Sequence, residues 1–161
     1  MSKKILLIED EAPLVRILRD TLLREGFEVV VARDGREGLI EMFAQQPHLV
    51  LLDIMMPVMG GITLLKKFQE DEWARTVPVI ILTNLDNPDL VMEAVEFGPL
   101  VAPPVIAEAQ GGTESSHEAI KNYLKERITS GLYEVVVKRD WSLKDITGKI
   151  RRKLEDGNSP L

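Results

Sequence analysis

The chain contains no cysteine among its 161 residues. Disulfide bonds, thiolate metal ligands and cysteine nucleophiles are therefore excluded, although the absence fits reducing and oxidising compartments alike. Histidine occurs only twice. A zinc site built from imidazole and thiolate ligands is not available to such a chain.

Long hydrophobic runs are also missing, since no apolar stretch approaches the roughly 20 residues that a membrane helix needs. The start "MSKKILLIEDE" turns acidic too early for a signal peptide. We therefore expect a cytoplasmic protein with no membrane partner. A net charge of -6 argues against direct binding of nucleic acid, and the short basic cluster from Lys149 to Lys153 is interpreted as one solvated helix face.

What the chain does contain is enough apolar material for one sizeable core, at 45% hydrophobic residues. We expect a single domain over residues 1–156 and a disordered tail at 157–161. Four short apolar runs, "KILLIE", "EVVVA", "HLVLLD" and "VPVIILT", are nearly continuous, as in strands buried on both faces.

Amphipathic segments alternate with these strands. Helices are predicted after Asp10 as far as Gly26, from about 36 to 45, from 62 to about 70, and from "DNP" to near Gly98. This alternation predicts an α/β fold with a doubly wound parallel sheet and right-handed crossovers.

The functional crevice of such a sheet lies beyond the carboxyl ends of its strands, where the strand order reverses. In the flavodoxin-like order 2-1-3-4-5, the first and third strands flank that point. Glu9 and Asp10 end the first strand and Asp53 ends the third, so three carboxylates are expected at one rim. At about 4 Å and an effective dielectric constant near 20, each like-charged pair costs on the order of 4 kcal/mol. Binding of magnesium, a hard cation that prefers oxygen ligands, is the simplest way to offset this repulsion.

The simpler interpretation is that these acids are structural. Asp10 or Glu11 alone would suit the start of a helix, and an acid such as Asp53 is ordinary in a turn. Two further strand ends carry polar groups, namely the hydroxyl of Thr83 and the ammonium of Lys138. Each is a weak signal alone, and its value lies in its position at a strand end.

Four stretches, "ILLIEDE", "LVLLDIMMPVMGG", "VPVIILT" and "VVVKRDWSL", resemble in this order the receiver domain of two-component response regulators. The resemblance covers residues 1–98 and resumes from about 131 to 154. It implies that Asp53 is the phosphoacceptor and that Thr83 and Lys138 contact the phosphoryl group. It also implies a Mg²⁺ site made by Glu9, Asp10, Asp53 and the backbone carbonyl of Met55. The implied partners are a sensor histidine kinase or phosphotransfer protein and a downstream protein target. The chain itself would be a signalling domain that assists its own phosphorylation and dephosphorylation rather than an enzyme.

One departure from the family pattern concerns the lysine, which normally follows a helix-ending glycine within about seven residues. Gly131 meets this spacing and Gly98 does not. We interpret residues 99–131 as an insertion that forms an extra β-α or helical unit, natural or engineered.

Two arrangements of the last strand follow from this insertion. In the first, the insertion is peripheral, "LYEVVVK" lies beside the fourth strand, and Lys138 reaches the acidic rim. In the second, "LVAPPVIA" takes the fifth position and carries Lys138 away from Asp53. Two consecutive prolines are unfavourable in an interior strand, so the first arrangement is favoured.

The position that is often an aromatic switch residue in the family is Val135 here, and Tyr133 is interpreted as a packed strand residue. Two rival functions remain. A flavin or nucleotide binder would need a glycine-rich phosphate loop after the first strand, where this chain has "EDEAP". The stronger rival is a receiver-derived scaffold that folds but no longer signals.

Overall fold

A computed structural model describes residues 1–54, 56, 58–83, 130–138 and 141–156. The predicted fourth helix, almost all of the predicted insertion, Met55 and the tail at 157–161 lie outside the described residues. None of the helices within the described ranges is long and apolar enough to cross a membrane. The elements are β1 (Lys4–Ile8), α1 (Ala12–Arg24), β2 (Glu28–Ala32), α2 (Gly35–Gln45), β3 (Leu49–Asp53), α3 (Gly61–Gln69), a 3-10 turn (Ala74–Thr76), β4 (Val79–Thr83), β5 (Tyr133–Val137) and α4 (Leu143–Asp156).

The five strands form one parallel sheet in the order β2-β1-β3-β4-β5. The strand order therefore reverses between β1 and β3, as predicted. β5 pairs directly with β4, from Val79 opposite Tyr133 to Thr83 opposite Val137. The predicted position of "LYEVVVK" beside the fourth strand is confirmed, and the arrangement in which it is displaced from that strand is wrong. The peripheral position of the insertion lies outside the described residues and stays a prediction.

Both faces of the sheet are covered, which explains why its strands are mostly apolar. Alternate strand residues enter two separate clusters, with Leu6 and Ile8 on one face and Ile5 and Leu7 on the other. α2 and α3 cover the first face, while α1 and α4 cover the second. A fully buried Leu or Ile side chain contributes roughly 1.5–3 kcal/mol. Tyr133 is 1% exposed within the first cluster, which confirms its role as a packed strand residue.

The loop after β3 is packed too closely for side chains at two glycines. A Cβ atom on Gly61 would lie 2.8 Å from the carbonyl oxygen of Asp53, and one on Gly35 would lie 2.3 Å from that of Met59. The N–H of Gly35 donates to that same Met59 oxygen over 3.0 Å. The glycines thus hold the loop against α2 and against the end of β3, which places the backbone around Asp53.

Val58 in this loop has a φ of 68°, in the left-handed region that a β-branched residue rarely adopts. Such strain costs of the order of 1–3 kcal/mol. Because Val58 is 70% exposed, few packing contacts compensate for this strain.

We expect Val58→Asn, which tolerates this conformation, to raise the free energy of unfolding by about 1 kcal/mol in urea denaturation. Val58→Ala is the matched control, because it also removes the branched side chain but lacks the polar group with which Asn hydrogen-bonds the local backbone in this conformation. A loss of stability in Val58→Asn would contradict the strain.

Candidate metal and phosphoryl-acceptor site

Three acids converge at the carboxyl end of the sheet. Glu9 and Asp10 follow β1, and Asp53 is the last residue of β3, whose Leu52 lies opposite Ile8. One carboxylate oxygen from each of Glu9, Asp10 and Asp53 lies within 4.8 Å of the others. Glu9 is fully buried and Asp53 is 2% exposed, whereas Asp10 is exposed. The structure therefore brings together the three acids that the strand pattern predicts to meet.

Local backbone contacts turn Glu9 inward. Its N–H donates to the carbonyl of Ala32 over 3.0 Å, which extends the β1–β2 pairing by one residue beyond the strand. Its Oε1 atom accepts a hydrogen bond from the N–H of Glu11 over 3.1 Å. This bond fixes one carboxylate oxygen, and the other, Oε2, is the one that meets a cation.

That cation is Lys138, the residue directly after β5. Its Nζ atom lies 2.8 Å from Oε2 of Glu9 and 3.5 Å from Oδ2 of Asp53, and its side chain is 9% exposed. Burial lowers the pKa of Lys138, but the hydrogen bond to Glu9 and the charges of Asp53 and Glu9 outweigh this effect and hold that pKa above its ordinary value. Lys138 is therefore a permanent positive charge in the site at neutral pH.

The charges of these four residues do not balance. At separations up to 4.8 Å and an effective dielectric constant of about 20, each pair of carboxylates repels by about 3.5 kcal/mol or more. Lys138 compensates one of the three negative charges and leaves two. A divalent cation matches this remainder, and a donor set made only of carboxylate oxygens, without histidine or cysteine, suits magnesium. The residues present thus fit a Mg²⁺ ion held by Glu9, Asp10 and Asp53.

Two residues implied by the resemblance are not tested by this geometry. The backbone of Thr83 ends β4 at the same edge of the sheet, since Asp53 lies opposite Leu82, but its side chain lies outside the described atoms. Met55 also lies outside the described residues. Both remain predictions.

Two contacts were not anticipated from the sequence. The resemblance implies that Lys138 meets the phosphoryl group, whereas its shorter contact in the structure is with Glu9 and its longer one with Asp53. The close approach of Gly61 to the Asp53 carbonyl was also missed. The consecutive glycines after the third strand were the available signal, because such a pair indicates a tight backbone approach or turn.

Comparison with protein families and curated proteins gives a consistent result. The family model for the response regulator receiver domain matches residues 5–100. The chain is 37% identical over 98 residues to response regulator PleD of Caulobacter vibrioides, which covers 61% of this chain and 22% of that protein. It is 36% identical over 87 residues to the alkaline phosphatase synthesis transcriptional regulatory protein PhoP of Bacillus subtilis, covering 54% of this chain and 35% of that protein. The chain thus spans well under half the length of these relatives.

Solved structures show the same fold. Chemotaxis protein CheY4 of Vibrio cholerae superposes with a TM-score of 0.66 at 20% identity, over 94% of this chain and 98% of that one. The signal receiver domain of a signal transduction histidine kinase from Syntrophus aciditrophicus gives a TM-score of 0.68 at 21% identity, over 99% and 96%. Because the family match takes in more than half of the chain and the sheet has the matching strand order, the chain belongs to the receiver-domain family of two-component response regulators.

Proposed function

We propose that Asp53 accepts a phosphoryl group from the phosphohistidine of a sensor histidine kinase or phosphotransfer protein, in a reaction that depends on Mg²⁺. The observation that carries this proposal is the convergence of Glu9, Asp10, Asp53 and Lys138 at the carboxyl end of the sheet. A structural role for the acids alone does not account for it, because structural acids gain nothing from being placed within repulsive distance of one another.

Asp53 suits the role of nucleophile without help from a general base, because a carboxylate is already ionised at neutral pH. In the transfer, an Asp53 oxygen forms a P–O bond as the P–N bond to the donor imidazole breaks, and the imidazole takes up a proton. Lys138 lies 3.5 Å from the attacking carboxylate and supplies positive charge where the phosphoryl group adds negative charge.

Magnesium would be held by Glu9, Asp10 and Asp53, with the backbone carbonyl of Met55 as a further ligand. Bound there, it would neutralise charge on the phosphoryl oxygens. The hydroxyl of Thr83 would donate to the same oxygens. The same groups would assist dephosphorylation, so the chain acts as a self-assisted signalling domain.

The signal would pass on by contact with a downstream protein, because phosphorylation changes charge and hydrogen-bonding capacity at one edge of the sheet. The net charge of -6 supports a protein target rather than direct contact with nucleic acid or an anionic membrane. A cytoplasmic location belongs to the same proposal, because the kinase partner draws on cellular ATP. The scaffold alternative is less favoured, since Lys138 lies within ion-pair distance of Asp53.

The proposal is tested by incubating the chain with Mg²⁺ and acetyl phosphate or phosphoramidate, followed by intact mass measurement. We expect a gain of one phosphoryl group, its removal by hydroxylamine as for an acyl phosphate, and little gain when a chelator removes Mg²⁺. An unchanged mass with saturating donor and Mg²⁺ would instead favour the scaffold.

A further inference from the structure

A groove of about 680 Å³ lies between β5 and α4, on the opposite side of β5 from β4. Val135 and Val136 lie along one side of it, and Trp141, Gly148 and Arg152 lie along the other. Its volume falls within the range of small-ligand sites in proteins. None of the groove residues belongs to the acidic site around Asp53.

The charge of the groove is opposite to that of the whole chain. Lys144, Lys149 and Arg152 line it together with a single acid, Asp145. Asp145 accepts hydrogen bonds from the N–H and the hydroxyl of Ser142, and Lys149 forms an ion pair with Glu134. Lys144 and Arg152 make no ion pair with any carboxylate among the described residues. The groove therefore contains two cations that no carboxylate of the described ranges neutralises, beside an apolar wall.

Gly148 lies in the interior of α4, where glycine lowers helix stability relative to alanine. Neither usual reason for a glycine applies here. Its φ is not in the left-handed region, and among the described atoms a Cβ would meet only Nη1 of Arg152, at 3.9 Å. Close packing therefore does not require a glycine at position 148. The effect of having no side chain there is to leave space in the groove.

Trp141 gives a second and independent observation. Its indole N–H is buried and has no hydrogen-bond acceptor within the described part of the chain. A buried donor without an acceptor is unfavourable and requires an explanation. Trp141 lines the groove, so a ligand bound at this wall lies against its ring.

We propose that this groove binds a small anion that carries phosphate groups, held by Lys144 and Arg152 and bordered by Gly148 and Trp141. Phosphate oxygens match uncommitted lysine and arginine donors. The two cations lie about two turns apart on one helix, with Gly148 between them, so a ligand with more than one phosphate group engages both. The site is separate from Asp53, and its occupancy does not depend on the proposed phosphorylation.

The test uses adenosine diphosphate as the probe and the fluorescence of Trp141 as the readout, in the full chain with Trp73→Phe and with a chelator present. The chelator removes divalent ions that would bridge the probe to the acidic site. We expect saturable quenching by adenosine diphosphate and none by adenosine.

Lys144→Gln combined with Arg152→Gln should weaken binding of adenosine diphosphate about tenfold or more. The matched control, Lys66→Gln with Lys67→Gln on α3, changes the net charge equally and should bind normally.

Gly148→Ala separates binding from folding. It should raise the melting temperature by about 2–4 °C, because it improves the helix, while it weakens binding by narrowing the groove. Asp53→Asn should leave binding unchanged. Equal binding by adenosine, unaltered binding in the Lys144→Gln/Arg152→Gln variant, or saturation only by an acidic peptide would each overturn the proposal.

Discussion

Asp53→Asn is expected to abolish phosphorylation of the chain by small phosphodonors or by a phosphohistidine donor. The amide retains the shape of the side chain but is not an ionised nucleophile, so no P–O bond forms at this position. Intact mass after incubation with donor and Mg²⁺ is the measurement. Asp20→Asn, a change of the same kind on α1, is the control and should accept the phosphoryl group at the normal rate.

The same substitution has an unusual predicted effect on stability. At an effective dielectric constant of about 20, the attraction of Asp53 to Lys138 over 3.5 Å contributes about 5 kcal/mol. Repulsion from the two neighbouring carboxylates within 4.8 Å costs about 7 kcal/mol or more. Without Mg²⁺, Asp53→Asn should therefore stabilise the chain by about 2 kcal/mol in urea denaturation. Continued labelling of the variant, or a marked loss of stability, would contradict the assignment of Asp53.

Opposite effects on chemistry and stability are expected of a site that binds a divalent cation. Without Mg²⁺, the three carboxylates and Lys138 carry two uncompensated negative charges at one edge of the sheet, held there by a core that buries strands on both faces. Mg²⁺ removes the repulsion, so stability in Mg²⁺ should no longer favour the Asn variant. The energetic cost of assembling the site and the affinity that we propose for a divalent cation would thus have the same origin.

The acidic part of this site follows from sequence because its geometry depends only on strand ends. Glu9 and Asp53 each follow an unbroken apolar run, and parallel strands place their carboxyl ends at one edge. The doubly wound fold and the strand order were predictable for the same reason. The φ of Val58 was not, because it depends on how the loop after β3 closes between α2 and the sheet.

Lys138 was harder to predict, because its position depends on which late segment pairs with β4. Two candidate segments were available, and the proline pair gave only a preference between them. The pairing of Tyr133–Val137 with β4 decides the question. Lys138 lies closer to Glu9 than to Asp53. This difference depends on side-chain packing around a fully buried carboxylate, and a strand pattern carries no information about such packing.

Replacement of Lys138 by methionine should reduce the rate of Asp53 phosphorylation by about 10²- to 10³-fold, as expected when one preorganised charge donor is removed. It should also destabilise the chain by about 3–5 kcal/mol without Mg²⁺, because Glu9 is left as a buried, uncompensated charge. Stopped-flow phosphorylation kinetics and urea denaturation measure the two effects. Normal kinetics in this variant would contradict the role of Lys138.

The contribution of this ion pair to stability depends on pH in a defined direction. The pKa of Lys138 is raised in the folded protein, so its stabilising effect is complete below the unfolded value of about 10.4 and is lost as pH rises through the higher folded value. Wild type should therefore lose stability in that alkaline range, and Lys138→Met should lack this component.

Adding Glu9→Gln to Lys138→Met should restore most of the lost stability, because the second change removes the unpaired charge. It should not restore phosphorylation, since the positive charge near Asp53 and one metal ligand are both missing. Recovery of stability without recovery of activity would separate the structural from the chemical role of Lys138. If the double variant were as unstable as Lys138→Met, the destabilisation would come from lost packing of the lysine side chain instead.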